Sequence, residues 1–247
     1  MIKEHDRYAR EYYDDLLRSL PEEYTFYRWR SSPAAMLDYR ETRRAILRAL
    51  KGNGGRRMLE VGCGDGTWTE LLAERADSLR CIEQSEEMIT RAKERLKRFP
   101  DIVYVNENFP TSIPQELCDT AVSVRAFEYF GDKTLAAAGF ARSLKPGGTL
   151  VLVTKNALRY RKDIARGTEK LHAIEIDRRE TVRILRAAGF EIVRVYPAII
   201  KWRPELFLPR TVFDGLQWLC VFASRFLRIV DPLPRFTESY LYIARKM

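Results

Sequence analysis

The chain is poor in metal-binding side chains. It has two histidines, His5 and His172, and four cysteines, Cys63, Cys81, Cys118 and Cys220, none in close pairs. A zinc centre draws its ligands from short, paired Cys and His spacings, so no metal site is expected. Isolated cysteines instead read as small apolar residues buried in a reducing compartment. No apolar stretch follows the charged start Lys3-Glu4-His5-Asp6, so no signal peptide is expected and the chain is placed in the cytoplasm. No internal repeat or low-complexity tract stands out.

What is present suits a globular protein. The 247 residues are 46% hydrophobic, enough for one large α/β domain with an appendage. Between 56 and 200, short apolar runs alternate with helical patterns, which argues for a parallel sheet covered by helices on both faces. Strands are expected at 57–61, 79–83, 102–105, 119–124, 148–154 and 191–196, with a last strand from Glu238 to Ala244.

Residues 58–67 are the most informative stretch. An apolar run enters Gly62-Cys63-Gly64-Asp65-Gly66, and a helical pattern follows. Glycines at this spacing let a backbone turn press against a ligand where a Cβ would intrude. A second strand ends in Glu83, the place where an acid holds ribose hydroxyls in nucleotide-binding βαβ units. The spacing is not the dinucleotide G-x-G-x-x-G, because Thr67 stands at the sixth place. Glu60 and Asp65 would repel a pyrophosphate and attract an ammonium. The loop therefore suits a nucleoside with a cationic amino-acid tail.

Glu60-Val61-Gly62-Cys63-Gly64-Asp65-Gly66 resembles motif I of the class I S-adenosylmethionine-dependent methyltransferases. The likeness continues in order through 119–124, Ala126-Phe127-Glu128-Tyr129-Phe130, 141–152 and Leu185–Ile192, covering roughly residues 40–200 and the final strand. The resemblance implies a Rossmann-like, doubly wound, seven-stranded and mostly parallel sheet whose last strand is antiparallel. It implies a cofactor site of Glu60, Gly62, Cys63, Gly64, Asp65 and Gly66, with Glu83 on the ribose, Gln84 beside the adenine, Asn108 and Phe109 on the adenine, and Arg125 near the methionine. S-adenosylmethionine is the expected cofactor, with S-adenosylhomocysteine as product.

The organisation expected is an N-terminal helical lid (1–50), a cofactor-binding core (51–200), a helical insertion (201–236) and the final core strand (237–247). The lid resembles that of the small-molecule and quinone methyltransferases. Its Tyr24–Arg30 cluster, aromatic and cationic, would wall a pocket for an aromatic or anionic acceptor; the plainer reading is packing on the sheet. The stretch 211–230 is too charged for a good membrane span. It reads as an amphipathic helix that covers the pocket or makes a homodimer, with a membrane-surface helix as the alternative. Lys145-Pro146-Gly147-Gly148 reads as a turn.

Methyl transfer is mainly positioning, so a base is needed only for a protonated acceptor. The candidates for a catalytic group are Glu128, Tyr129 and His172. Tyr129 stands where the family often has histidine. The family's amino-methylating nucleic-acid enzymes carry an Asn-Pro-Pro-Tyr-like segment after the fourth strand, and magnesium-dependent catechol enzymes carry an acidic trio; neither is found. The expected function is methyl transfer to a small, hydrophobic or aromatic molecule. A net charge of +9 keeps two alternatives open: an RNA methyltransferase, and a non-catalytic S-adenosylmethionine-binding module.

Overall fold

A computed structural model describes residues 2–20, 24–52, 56–111, 113, 117–158, 176–200, 234 and 237–247. Three helices open the chain, α1 (Ile2–Ser19), α2 (Tyr24–Trp29) and α3 (Pro33–Leu50). The sheet then begins with β1 (Arg57–Val61), α4 (Thr69–Ala73), β2 (Ser78–Glu83), α5 (Glu86–Arg95) and β3 (Val103–Asn106). Its second half is β4 (Cys118–Val124), a single 3-10 turn at Phe127–Tyr129, α6 (Lys133–Ser143), β5 (Leu144–Lys155), α7 (Arg178–Ala187), β6 (Phe190–Ile200) and β7 (Thr237–Lys246).

The helix boundaries follow from their caps. Ser32, Ser85, Asp132 and Asp177 each accept a hydrogen bond from the backbone N–H three residues on, which satisfies a donor the helix itself leaves unpaired. Pro33 occupies the first turn of α3, where its missing N–H costs nothing.

The seven strands lie in the order β3-β2-β1-β4-β5-β7-β6. The first five pair in parallel, and β7 runs antiparallel between β5 and β6. This is the Rossmann-like architecture expected, the antiparallel last strand included. Period-2 alternation assigns side chains to the two faces. Met58, Val122, Val124, Val151 and Val153 face α3 and α4, packing with Ile46, Ala49, Leu71 and Leu72. Leu59, Ala121, Leu150 and Leu152 face the other way, against Ala137 and Phe140 of α6 and Leu185 of α7. Leu150 to Leu152 are fully buried, and each such side chain stabilises the sheet by about 1.5–3 kcal/mol relative to exposure.

Three differences from the sequence reading have clear physical reasons. Lys145–Gly148 is not a turn ahead of β5 but a bulge inside it: Leu144 already pairs with Cys118, and Thr149 pairs with Thr120. Lys145 Nζ reaches Asp119 Oδ1 at 2.5 Å across the bulge, and this contact holds the Asp119 carboxyl below its ordinary range. β6 runs to Ile200 because β7 offers it a partner edge as far as Thr237. Within the first fifty residues, α3 lies against the sheet, so only α1 and α2 stand over the strand ends. The insertion 201–236, apart from Pro234, and His172 lie outside the described residues. Among the described residues no helix is long and apolar enough to cross a membrane.

Candidate active site

The C-terminal ends of β1, β2 and β4 open into a cleft of about 1060 Å3, mouth included. Open parallel sheets place their ligands at this edge, where the strand order reverses. Here β1 is the reversal point, with β2 on one side and β4 on the other.

The loop after β1 forms the floor. Gly62 has φ +75°, and its N–H donates to Ile82 O at 2.8 Å, tying the loop to β2. A Cβ on Gly62 would stand 2.2 Å from the Ala126 Cβ, so the loop after β1 and the tip of β4 meet only because glycine is there. Gly64, at φ +54°, has open space beside it. Glu83 lines the cleft with its carboxylate held by backbone donors: Gly64 N–H to Oε2 at 3.1 Å and Ser85 N–H to Oε1 at 3.0 Å. Burial raises its pKa, and those N–H groups oppose the rise. Gln84, Asn108 and Phe109 complete this end of the wall, with Phe109 packed on Phe140 at 4.7 Å between ring centroids. Cys63 also lines the cleft, as a buried thiol pushed up by its neighbour Cys81 and by burial.

The two acids of the loop are placed differently. Asp65 lines the cleft, but Arg95 Nη2 lies 3.2 Å from its Oδ2. The Thr67 hydroxyl donates to Oδ1 at 2.7 Å, and the Thr25 hydroxyl donates to Oδ2. Much of its charge is therefore balanced inside the protein. Glu60 is not on the wall. It is fully buried beneath the loop, where burial pushes its pKa up to about 7 against the pull of neighbouring Thr69 and Cys81. Gly66 is likewise not part of the wall.

Arg125 follows β4 and has φ +61°, a conformation rare for a residue with a Cβ. Its guanidinium holds it there: Nε donates to Glu128 Oε1 at 2.9 Å, Nη1 to Ser239 Oγ at 3.0 Å, and Nη2 lies 3.5 Å from Glu238 Oε1. The Thr154 hydroxyl donates to the other oxygen of Glu128 at 3.0 Å. Glu128, expected as a candidate catalytic group, is 1% exposed, bonded to Arg125 and Thr154 under the β4 tip, and not among the residues that line the cleft.

Tyr129 does line the cleft, and α1 and α2 meet it there. The Tyr13 hydroxyl donates to the Tyr129 hydroxyl at 2.7 Å, and the Tyr13 ring stands edge-on to both Tyr129 and Tyr24. Burial pushes all three phenols well above their ordinary pKa, so at neutral pH they are protonated hydrogen-bonding groups. α1 is latched a second time: the Ser85 hydroxyl donates to Asp14 Oδ1 at 2.6 Å. Arg28 lies over the Trp29 ring at 4.1 Å and, with Arg10, completes the rim.

Sequence reasoning did not single out Thr25, Thr67, Ser85 or Arg95. Only Ser85 carried a local signal, as a serine opening an amphipathic helix behind Glu83; the others depend on contacts 30 or more residues apart or on loop geometry. Among the described residues there is no group of three or more side chains able to hold a metal ion.

Comparison with known proteins agrees with this geometry. Residues 59–152 match the family described as "Methyltransferase domain". Nodulation protein S of Rhizobium tropici is 34% identical over 96 residues, which is 38% of this chain and 40% of that protein. Demethylmenaquinone methyltransferase of Tropheryma whipplei is 31% identical over 110 residues, 44% of this chain and 46% of that one. The chain spans about half the length, or less, of the curated relatives it matches. The crystal structure of N-methyltransferase NodS from Bradyrhizobium japonicum WM9 in complex with S-adenosyl-L-homocysteine superimposes with a TM-score of 0.65 at 18% identity. That match covers 95% of this chain and 97% of that one, and it establishes the shared fold.

Proposed function

We propose that this chain, whose residues 59–152 are a class I S-adenosylmethionine-dependent methyltransferase domain, transfers a methyl group to a small hydrophobic or aromatic molecule. The observation that carries the reading is one shared cleft: the motif I loop and Glu83 at one end, three tyrosines and two arginines at the other.

The residues present fit the cofactor. The Glu83 carboxylate at the β2 tip, with backbone donors on its far side, suits a pair of ribose hydroxyls. The space beside Gly64 admits a ligand against the backbone. Asn108 and Phe109 suit an adenine, one by hydrogen bonding and one by packing. S-adenosylmethionine, when bound, supplies a methyl group made electrophilic by its sulfonium. The chain's own contribution is then position and dryness. Arg125 and Ala126 fix the floor on the methionine side. α1, latched through Tyr13–Tyr129 and Asp14–Ser85, and α2, tied to the loop through Thr25–Asp65, form the cover. Tyr129, protonated, orients an acceptor by hydrogen bonding. No general base is assigned.

Isothermal titration with S-adenosylhomocysteine tests the reading. Wild type should bind in the micromolar range, and Glu83→Ala should weaken binding by roughly 10–100-fold, the worth of charge-assisted hydrogen bonds. Absence of binding to wild type would refute it. A screen of small acceptors with labelled methyl donor then follows.

A further inference from the structure

The rim of the cleft holds positive charge that no carboxylate among the described residues balances. Some arginines have carboxylate partners close by, as Arg7 has Glu11, Arg91 has Glu87 and Arg98 has Glu70. The cleft's own Asp65 is matched by Arg95, and its Arg125 by Glu128 and Glu238. Arg10 and Arg28 line the same cleft, and neither pairs with a carboxylate among the described residues.

Arg28 is half-buried, which makes an unmatched charge costly. Its guanidinium carbon lies 4.1 Å from the Trp29 ring centroid, a cation–π contact that takes up none of its N–H donors in a carboxylate pair. Its charge reaches the hydroxyls of Tyr13 and Tyr24, which places it at the tyrosine end of the cleft. Arg10 stands on α1 one turn before Tyr13, on the side that meets the cleft. The cofactor proposed above brings one carboxylate, so it matches at most one of these two cations.

We infer that the methyl acceptor is an aromatic or apolar molecule bearing an oxyanion, a carboxylate or a phosphate, seated on Arg28 and Arg10 with its ring among Tyr13, Tyr24 and Tyr129. This rests on the methyl-transfer reading and narrows it. Planar guanidinium forks match both oxyanions through paired N–H donors, and the tyrosines supply flat apolar walls.

The test uses the full chain saturated with S-adenosylhomocysteine. 4-Hydroxybenzoate, 4-hydroxyphenyl phosphate and the neutral 4-hydroxybenzamide are titrated by ligand-observed NMR. At least one anion should bind about tenfold or more tightly than the amide, with added salt eroding the preference. Whichever anion binds better identifies the headgroup. Arg28→Ala and Arg10→Ala should each reduce that preference about tenfold, and retained S-adenosylhomocysteine binding in at least one variant shows that the fold survives. Equal binding of anions and amide would overturn the proposal. So would variants that both lose S-adenosylhomocysteine affinity while keeping the anion preference, because the arginines would then serve the cofactor. Failure of wild type to bind S-adenosylhomocysteine strikes the underlying reading instead, and is scored before any probe is added.

Discussion

Replacing Gly62 with alanine tests the contact on which the floor of the cleft depends. The new Cβ would stand 2.2 Å from the Ala126 Cβ. Carbon atoms settle at roughly 3.5–4.0 Å, so the loop and the β4 tip must part by about 1.5 Å. Ala126 has no side chain to swing aside; its Cβ is fixed to backbone, next to the φ +61° of Arg125. Overpacking of this kind costs about 1–3 kcal/mol, and the left-handed φ of +75° adds about 1–2 kcal/mol for a residue with a Cβ. The total is roughly 2–5 kcal/mol, equivalent to about 5–20 °C in Tm for a domain of this size. Gly64→Ala is the control. It carries the backbone cost alone, because nothing lies within 4 Å of its Cβ, and should lower Tm by roughly 2–8 °C. Thermal unfolding followed by circular dichroism, with S-adenosylhomocysteine titrations beside it, reads both. Gly62→Ala should lose more stability than Gly64→Ala and should also lose ligand affinity. Equal Tm losses, or a neutral Gly62→Ala, would refute the argument that close approach to Ala126 sets this position.

Two further predictions concern buried charge. Glu60 has its pKa pushed from an ordinary 4.5 to about 7, so the folded state holds a proton that the unfolded chain has released across that window. Stability from this group is present below pH 4.5 and lost as pH rises to 7, a decline of about 3 kcal/mol. Glu60→Gln should flatten that slope and be the more stable form at pH 8 in urea denaturation; a wild-type–variant difference that does not change between pH 5 and pH 8 would count against it. Arg125→Ala would leave Glu128 and Glu238 buried without their shared cation, at a cost of about 3–5 kcal/mol. The double variant Arg125→Ala/Glu128→Gln should recover part of the loss, and no recovery would mean that the charge balance is not what stabilises the β4 tip.

Much of the fold was legible because strands buried on both faces read as short apolar runs, and five of the seven were bounded to within a residue or two. The exceptions are instructive. Nothing local in Lys145–Gly148 separates a turn from a bulge; the choice is made by Asp119 on the neighbouring strand, 26 residues away from Lys145. That the loop after β1 and Glu83 would share one wall of the cleft was readable because glycines and an acid at a strand tip are local signals. The surroundings of Glu128 were not, because they are decided by Arg125 turning inward toward Glu238 and Ser239, over a hundred residues on. Tyr13 and Arg28 were visible as part of an aromatic and basic lead-in, but only packing of α1 and α2 over the strand ends brings them to the rim.

The position of β7 has a consequence for how the molecule comes into being. It is the last strand in sequence, yet it sits inside the sheet, and among the described residues β6 pairs with no other strand. During synthesis the first five strands can associate as they emerge, while β6 waits without a partner until β7 leaves the ribosome. Glu238 and Ser239, which brace Arg125 beneath the cleft, arrive in the same segment. Assembly of the sheet and completion of the cleft floor are therefore one event, and a chain lacking residues 237–246 would hold the loop after β1 without the brace that shapes its opposite wall.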